Sequence, residues 1–176
     1  MKVFFVAGIH GVGKTTGCEV VSKELGIPHF SASQIIKNQK SSAVDETSKL
    51  VADVDGNQRL LIQGVSRILE NGHFLLDGHF TMRRKSDGGI EPIDIQVFRE
   101  LHIGGIMLYT DDPGEIVKRM YARDDVLHPI ELLALHQKAE VAHAEYVAAK
   151  LTVPLVMLQA FDTDGMANAV RNWLYE

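Results

Sequence analysis

The chain opens on an unbroken apolar run at residues 3–7, Val-Phe-Phe-Val-Ala. A run this short, β-branched and aromatic, predicts a strand buried on both faces. Further on, Val20, Val21 and Leu25 fall on one side of a helical projection and Glu19, Lys23 and Glu24 on the other. That predicts an amphipathic helix, stopped by Gly26. Residues 27–30 read as a short second strand. Ser31 and Ser33 then stand as candidate N-caps for a helix carrying Ile35, Ile36 and Lys37. From 37 to 56 the period fades, and Lys40, Ser41, Asp45, Glu46 and Ser48 predict a polar, mobile surface.

Periodicity returns at 57–70, where Leu60, Leu61, Gly64, Val65, Ile68 and Leu69 repeat near the helical period. Arg59, Gln63 and Arg67 lie off that stripe, and Asn71-Gly72 ends it. Residues 73–77 form the next strand, with Asp77 closing its apolar run. Residues 80–91 read as a loop holding Arg83, Arg84 and Lys85, with Gly88-Gly89 as slack. Pro92 is placed to open a helix reaching about Leu101. A strand follows at 104–109, and Asp111-Asp112-Pro113 caps a helix with Ile116, Val117 and Met120 inward. Pro129 begins a long helix to Lys150, with Leu132, Leu135, Ala139, Ala142, Tyr146 and Ala149 as its predicted core stripe. A last strand at 153–158, a turn at 162–165 and a helix at 166–174 close the chain. Strands alternating with helices, five strands in all, predict an α/β fold with a mainly parallel sheet and helices on both faces.

Between the first strand and the first helix stands Gly8-Ile9-His10-Gly11-Val12-Gly13-Lys14-Thr15-Thr16, the full G-x-x-x-x-G-K-[ST] pattern of a P-loop. Glycines there let the backbone curl, so that the N–H groups of Gly11, Val12, Gly13 and the residues after them face an anion. Lys14 brings a mobile charge to the β- and γ-phosphates of ATP. Thr15 brings a hydroxyl to Mg²⁺, a hard cation that takes oxygen ligands. Asp77, ending an apolar strand, has the Walker B pattern and is the second candidate Mg²⁺ ligand.

The 176 residues suit one domain, and the 45% apolar content is that of an ordinary globule. No apolar run is long enough to span a membrane, and the start leads directly into a strand rather than a signal peptide. A single cysteine, Cys18, excludes an internal disulfide and fits a cytoplasmic setting. The net charge of −5 weighs against a nucleic-acid partner and leaves room for a protein partner. His136, Glu140 and His143 share a helical face, but without the H-E-x-x-H spacing of a metal motif.

With these motifs placed, the chain resembles the small nucleoside monophosphate kinases. It is most similar to the archaeal-type adenylate kinases and the related adenylate kinase/ATPase proteins. The P-loop, the Asp77-Gly78-His79 ending of the Walker B strand, and the pair Arg119 and Arg123 carry the resemblance. It implies a P-loop three-layer sandwich with sheet order 2-3-1-4-5, an acceptor-binding helical subdomain at about 31–70 and a short lid at about 119–129. It also implies an adenylate-kinase-like transfer of the γ-phosphate of ATP to a nucleoside monophosphate. Lys14, Asp77, His79 and Arg123 would be catalytic. Residues 11–16 and Arg119 would bind the nucleotide. Ser31, Ser33, Lys37 and Arg59 would hold the acceptor. His10 stands where the family has proline, and Lys37 where it has arginine. Lysine is a point charge and arginine a bidentate fork, so that exchange is not conservative. Two other readings stay open: an ATPase module acting on a partner, and a kinase of a small hydroxylated metabolite, with Asp77 or His79 meeting the hydroxyl.

Overall fold

The computed structural model describes residues 1–43, 54–84 and 87–175. In chain order the elements are β1 (Val3–Ala7), α1 (Lys14–Leu25), β2 (His29–Ser31), α2 (Ala32–Ala43), α3 (Val54–Leu69), β3 (Phe74–Asp77), β4 (Thr81–Arg83) and β5 (Ile90–Pro92). They continue with α4 (Ile95–Glu100), β6 (Ile103–Thr110), α5 (Pro113–Asp124), α6 (Ile130–Leu151), β7 (Leu155–Gln159) and α7 (Thr163–Leu174). Five strands form one parallel sheet in the order β2-β3-β1-β6-β7. Leaving the separate pair β4-β5 out of the count, this is the expected 2-3-1-4-5 order.

Strand β1 lies in the middle, and its alternation feeds both faces of the sheet. Phe4 and Val6 pack with Cys18, Val21, Val170 and Trp173 on the side of α1 and α7. Val3, Phe5 and Ala7 pack with Ile35, Val65, Phe98 and Val147 on the side of α2, α3, α4 and α6. The carboxyl ends of β1 and β3 therefore bring the P-loop and Asp77 to one edge of the sheet, where ligands bind in open α/β folds. Among the described residues no helix is long and apolar enough to cross a membrane.

Several elements differ from their sequence signals. In α1 the buried face is Lys14, Gly17, Cys18, Val21, at helical spacing, and Val20 falls outside it, 44% exposed. Strand β2 begins at His29 because pairing with β3 sets its register, His29 opposite Leu75. Neither serine caps α2 as expected. Ser33 lies inside the helix, and the Ser31 and Ser33 hydroxyls bond each other at 2.7 Å. The helix also continues to Ala43 through the polar stretch, supported by a Gln34–Asn38 bond of 2.7 Å and by Arg67 donating to Gln39. The remainder of the expected mobile surface, 44–53, lies outside the described residues. Helix α3 approaches α2 at Gly64, where a Cβ would stand 2.3 Å from Ile35. Glycine in mid-helix thus serves close packing.

Residues 80–91 are not simply a loop. Thr81–Arg83 and Ile90–Pro92 form an antiparallel hairpin, pairing Thr81 with Pro92 and Arg83 with Ile90. Arms of three residues are too short to show a period of two. Arg84 pairs with Asp87 at 2.9 Å near its tip; Lys85 lies outside the described residues. Pro92 ends β5 instead of opening a helix, and Asp94 caps α4 by accepting from the Gln96 N–H. Asp112 caps α5 as expected, accepting from Gly114 and Glu115. Asp162 caps α7, which starts three residues earlier than its apolar pattern.

Helix α6 reverses the expected orientation. The buried residues are Leu133, Glu140, Ala144, Val147 and Ala148. In the predicted core stripe, Leu135 is 58% and Tyr146 46% exposed. The helix has two apolar faces, and a buried glutamate selects the inward one. Glu140, 1% exposed, accepts from the N–H groups of Phe80 (2.7 Å) and Thr81 (2.9 Å) and from the Thr81 hydroxyl. Carboxylates enter a core only with such donors.

Candidate active site

The P-loop wraps by means of glycine. Gly11 and Gly13 have φ of +82° and +102°, in the region that side chains disfavour. Gly13 is the N-cap of α1 and offers no side-chain cap, so the first amides of that helix stay open to an anion. Lys14 is 7% exposed, and its ammonium donates to the carbonyls of Gly8 (2.8 Å) and Ile9 (3.1 Å). Burial lowers its pKa, while the charges of Asp77 and Glu140 act the other way. Across from it the Thr15 hydroxyl donates to Asp77 Oδ2 at 2.7 Å. A hydroxyl and a carboxylate oxygen this close form the hard-oxygen pair that Mg²⁺ prefers.

Around this centre stand three histidines. His29 Nε2 lies 4.0 Å from Asp77 Oδ2. His79, just past β3, has Nδ1 3.9 Å from Glu140 and a side chain 38% exposed. Burial first, then the Lys14 charge, pushes its pKa down to about 3. His10 of the P-loop meets Arg123 at 2.7 Å, and burial, then Arg123, lowers its pKa. A neutral imidazole accepts from the guanidinium, so the residue standing for proline ties the P-loop to the end of α5.

Two pockets meet at the P-loop, and His10, Lys14 and Thr15 line both. One, of about 230 Å³, is bounded by Gly11, Gly13, Thr16, Arg119, Arg123 and Phe161. Its two arginines are held in place. Arg119 pairs with Asp111 at 2.7 Å and stands 5.2 Å over the Phe161 ring. The alternative partner, Glu115, is taken by Lys118 at 2.6 Å. Arg123 pairs with Asp124. The other pocket, of about 370 Å³, runs from Asp77 and His79 to α2, α3 and α4.

The predicted residues divide between these places. Gly11, Gly13, Lys14, Thr15, Thr16 and Arg119 line the smaller pocket; Val12 is fully buried in the core and contributes backbone only. Asp77, His79, Ser31 and Ser33 line the larger. Lys37 and Arg59 are exposed and line neither, because they fall on the outer faces of α2 and α3. His136 and Glu140 both bond Thr81, and His143 meets the Ile93 carbonyl at 2.7 Å, so this helical face braces the hairpin. Sequence reasoning missed Asn57, Gln58 and Phe161. The two amides carry no motif, and Phe161 is aimed by a left-handed backbone, φ +67°, which its residue type does not signal.

A parallel sheet in this order, a P-loop before α1 and an aspartate closing β3 define a P-loop α/β protein. The chain belongs to the AAA domain family, which it matches over residues 7–128. No curated protein matches it. Among solved structures it is similar to a gluconokinase from Sinorhizobium meliloti 1021, at 14% identity and TM-score 0.56, over 99% of this chain and 95% of that one. A sugar kinase from Janibacter sp. HTCC2649 matches at 16% identity and TM-score 0.56, over 99% and 95%. A shikimate kinase from Bacteroides thetaiotaomicron matches at 13% identity and TM-score 0.54, over 99% of both chains. At these identities the likeness is one of fold, and the fold is that of P-loop kinases.

Proposed function

We propose that this chain is an ATP-dependent phosphotransferase that moves the γ-phosphoryl of ATP to a small molecule in the larger pocket. The observation that carries this reading is the meeting of two pockets at His10, Lys14 and Thr15. Hydrolysis alone requires only the phosphate side. A second pocket, walled by α2, α3 and α4, gives a co-substrate a place beside the γ-phosphate. We take residues 1–176 as one catalytic domain, with 31–70 as its acceptor-binding part and 119–129 as a short lid.

In this reading the α1 amides and Lys14 hold the β- and γ-phosphates, and Arg119 with Phe161 flanks the base. Thr15 and Asp77 would hold Mg²⁺, which supplies charge neutralisation at the phosphates. Arg123, released from Asp124, would add positive charge at the transferring group. Asp77 and His79 face the acceptor hydroxyl. A nucleoside monophosphate would call on Lys37 and Arg59, which lie outside the pocket. Ser31 and Ser33, which line it, suit a hydroxylated metabolite. The likeness in fold to gluconokinase, sugar kinase and shikimate kinase is in keeping with that choice.

ADP release in a coupled assay tests the reading. ATP and Mg²⁺ are supplied alone, then with AMP, CMP, UMP, GMP, gluconate, shikimate or an uncharged alcohol. A true acceptor should raise the rate by at least about tenfold, since its binding energy then serves transfer. ADP release at one rate in every tube would mean that water is the acceptor, and the proposal would fall.

A further inference from the structure

The larger pocket has a chemistry that the kinase reading alone does not require. Its walls beyond the P-loop are apolar, formed by Phe5, Ile36, Leu61, Met82, Val97 and Phe98. Its polar groups there are uncharged: the Ser31 and Ser33 hydroxyls and the Asn57 and Gln58 amides. Among the described lining residues Lys14 is the one lysine or arginine and Asp77 the one carboxylate. Lys14 belongs to the phosphate side.

Two buried atoms of this pocket have no hydrogen-bond partner, Asn57 Oδ1 and His79 Nδ1. Asn57 Oδ1 is an acceptor, and His79 Nδ1 accepts in the tautomer that carries its proton on Nε2. Native structures leave few buried acceptors unmet, and two on one pocket call for a ligand that brings two donors.

Resting on the phosphotransferase reading, we infer that the acceptor is an uncharged alcohol with an apolar face and a second O–H or N–H donor, about the size of a nucleoside. Its reacting hydroxyl donates to His79 Nδ1 and its second donor meets Asn57 Oδ1. A phosphate or carboxylate on the acceptor would be set against apolar side chains and uncharged polar groups, with Lys14, on the phosphate side, the one lysine or arginine among the described lining residues. In the transfer, the alcohol oxygen forms a bond to the γ-phosphorus. The bond from that phosphorus to the β,γ-bridging oxygen breaks, and its electrons leave with ADP. The hydroxyl proton leaves along its hydrogen bond to His79 Nδ1 and passes on to water. The products are a phosphomonoester, ADP and one proton.

The test uses pairs that share a scaffold and differ in charge: uridine and UMP, adenosine and AMP, glucose and gluconate. Melting of the chain with each compound, in the absence of nucleotide, reads binding. Transfer of label from [γ-³²P]ATP reads the reaction. An uncharged member of at least one pair should raise the melting temperature and take label at least about tenfold faster than its anionic partner. Asn57→Ala should raise the KM of that acceptor about tenfold and leave the KM for ATP unchanged, whereas Asn57→Asp, which keeps an accepting oxygen, should lose much less. Preference for the anionic members, no response to any uncharged member, or an unchanged KM in Asn57→Ala would overturn the inference. Label passing only to water in every tube would instead remove the phosphotransferase reading, while the melting series would still report what the pocket binds.

Discussion

Lys14 is a desolvated ammonium satisfied by two backbone carbonyls. Removing it deletes those bonds but also deletes a buried charge, so the two effects oppose each other in the free protein. Lys14→Ala should therefore melt close to wild type without ligand. A saturating ligand stabilises by RT ln(1 + [L]/Kd), about 2.7 kcal/mol at a hundredfold excess over Kd. Mg²⁺·ATP should raise the wild-type melting temperature clearly and the variant's much less; equal shifts would refute the role given to Lys14. Asp77→Asn keeps an acceptor for the Thr15 hydroxyl while removing the charge. Its Mg²⁺-dependent turnover should fall by orders of magnitude with nucleotide binding partly retained, as binding and turnover measured on one preparation would tell. Turnover near wild type would make Asp77 a strand end and nothing more.

At the scale of elements, α6 offers the sharpest prediction, because its two apolar faces exchange the expected roles. Leu133, 7% exposed, should cost about 2–4 kcal/mol on truncation to alanine, whereas Leu135→Ala should stay within about 0.5 kcal/mol. Glu140→Ala would leave two amides and a hydroxyl without their acceptor and should cost about 3 kcal/mol or more. Urea denaturation of the three variants checks this, and a Leu135 variant weaker than the Leu133 one would contradict the orientation. Periodicity located α6 but not its inward face, since Leu132, Leu135 and Leu133, Val147 each fit a helical stripe. The deciding contact, Glu140 with Phe80 and Thr81, is 59 and 60 residues distant in sequence and leaves no local trace. The hairpin it braces was illegible because its three-residue arms are too short to show a period of two. By contrast β1, the P-loop, α1 and Asp77 were readable because motif and hydrophobic run coincide there. Lys37 was assigned by resemblance and Arg59 as a charge for the acceptor side, although Arg59 already lies off the apolar stripe of its helix.

Across the whole molecule, burial sets the response to acid. It is the largest cause lowering the pKa of His10, His29, His79 and His136 below the ordinary 6.5. In the unfolded chain these four take up protons as pH falls through 6.5, while the folded chain resists. The unfolded state then binds more protons, so stability present above pH 6.5 is lost on acidification. Glu140 acts the other way, since burial raises its pKa from 4.5; its contribution is full below that value and lost as pH rises. Four groups against one should lower the melting temperature steadily between pH 7.5 and 5.5, and a flat or rising profile would contradict the burial of these rings. The same whole-molecule arrangement, one sheet edge with two pockets meeting at Lys14 and Thr15, is the central claim about function. Its most direct test follows the phosphorus itself. The protein, Mg²⁺, ATP and a reactive acceptor are watched by ³¹P NMR. A new phosphomonoester resonance should grow in step with ADP, one for one, with little inorganic phosphate. ADP accompanied by inorganic phosphate alone, with no phosphoester from any acceptor offered, would contradict the account.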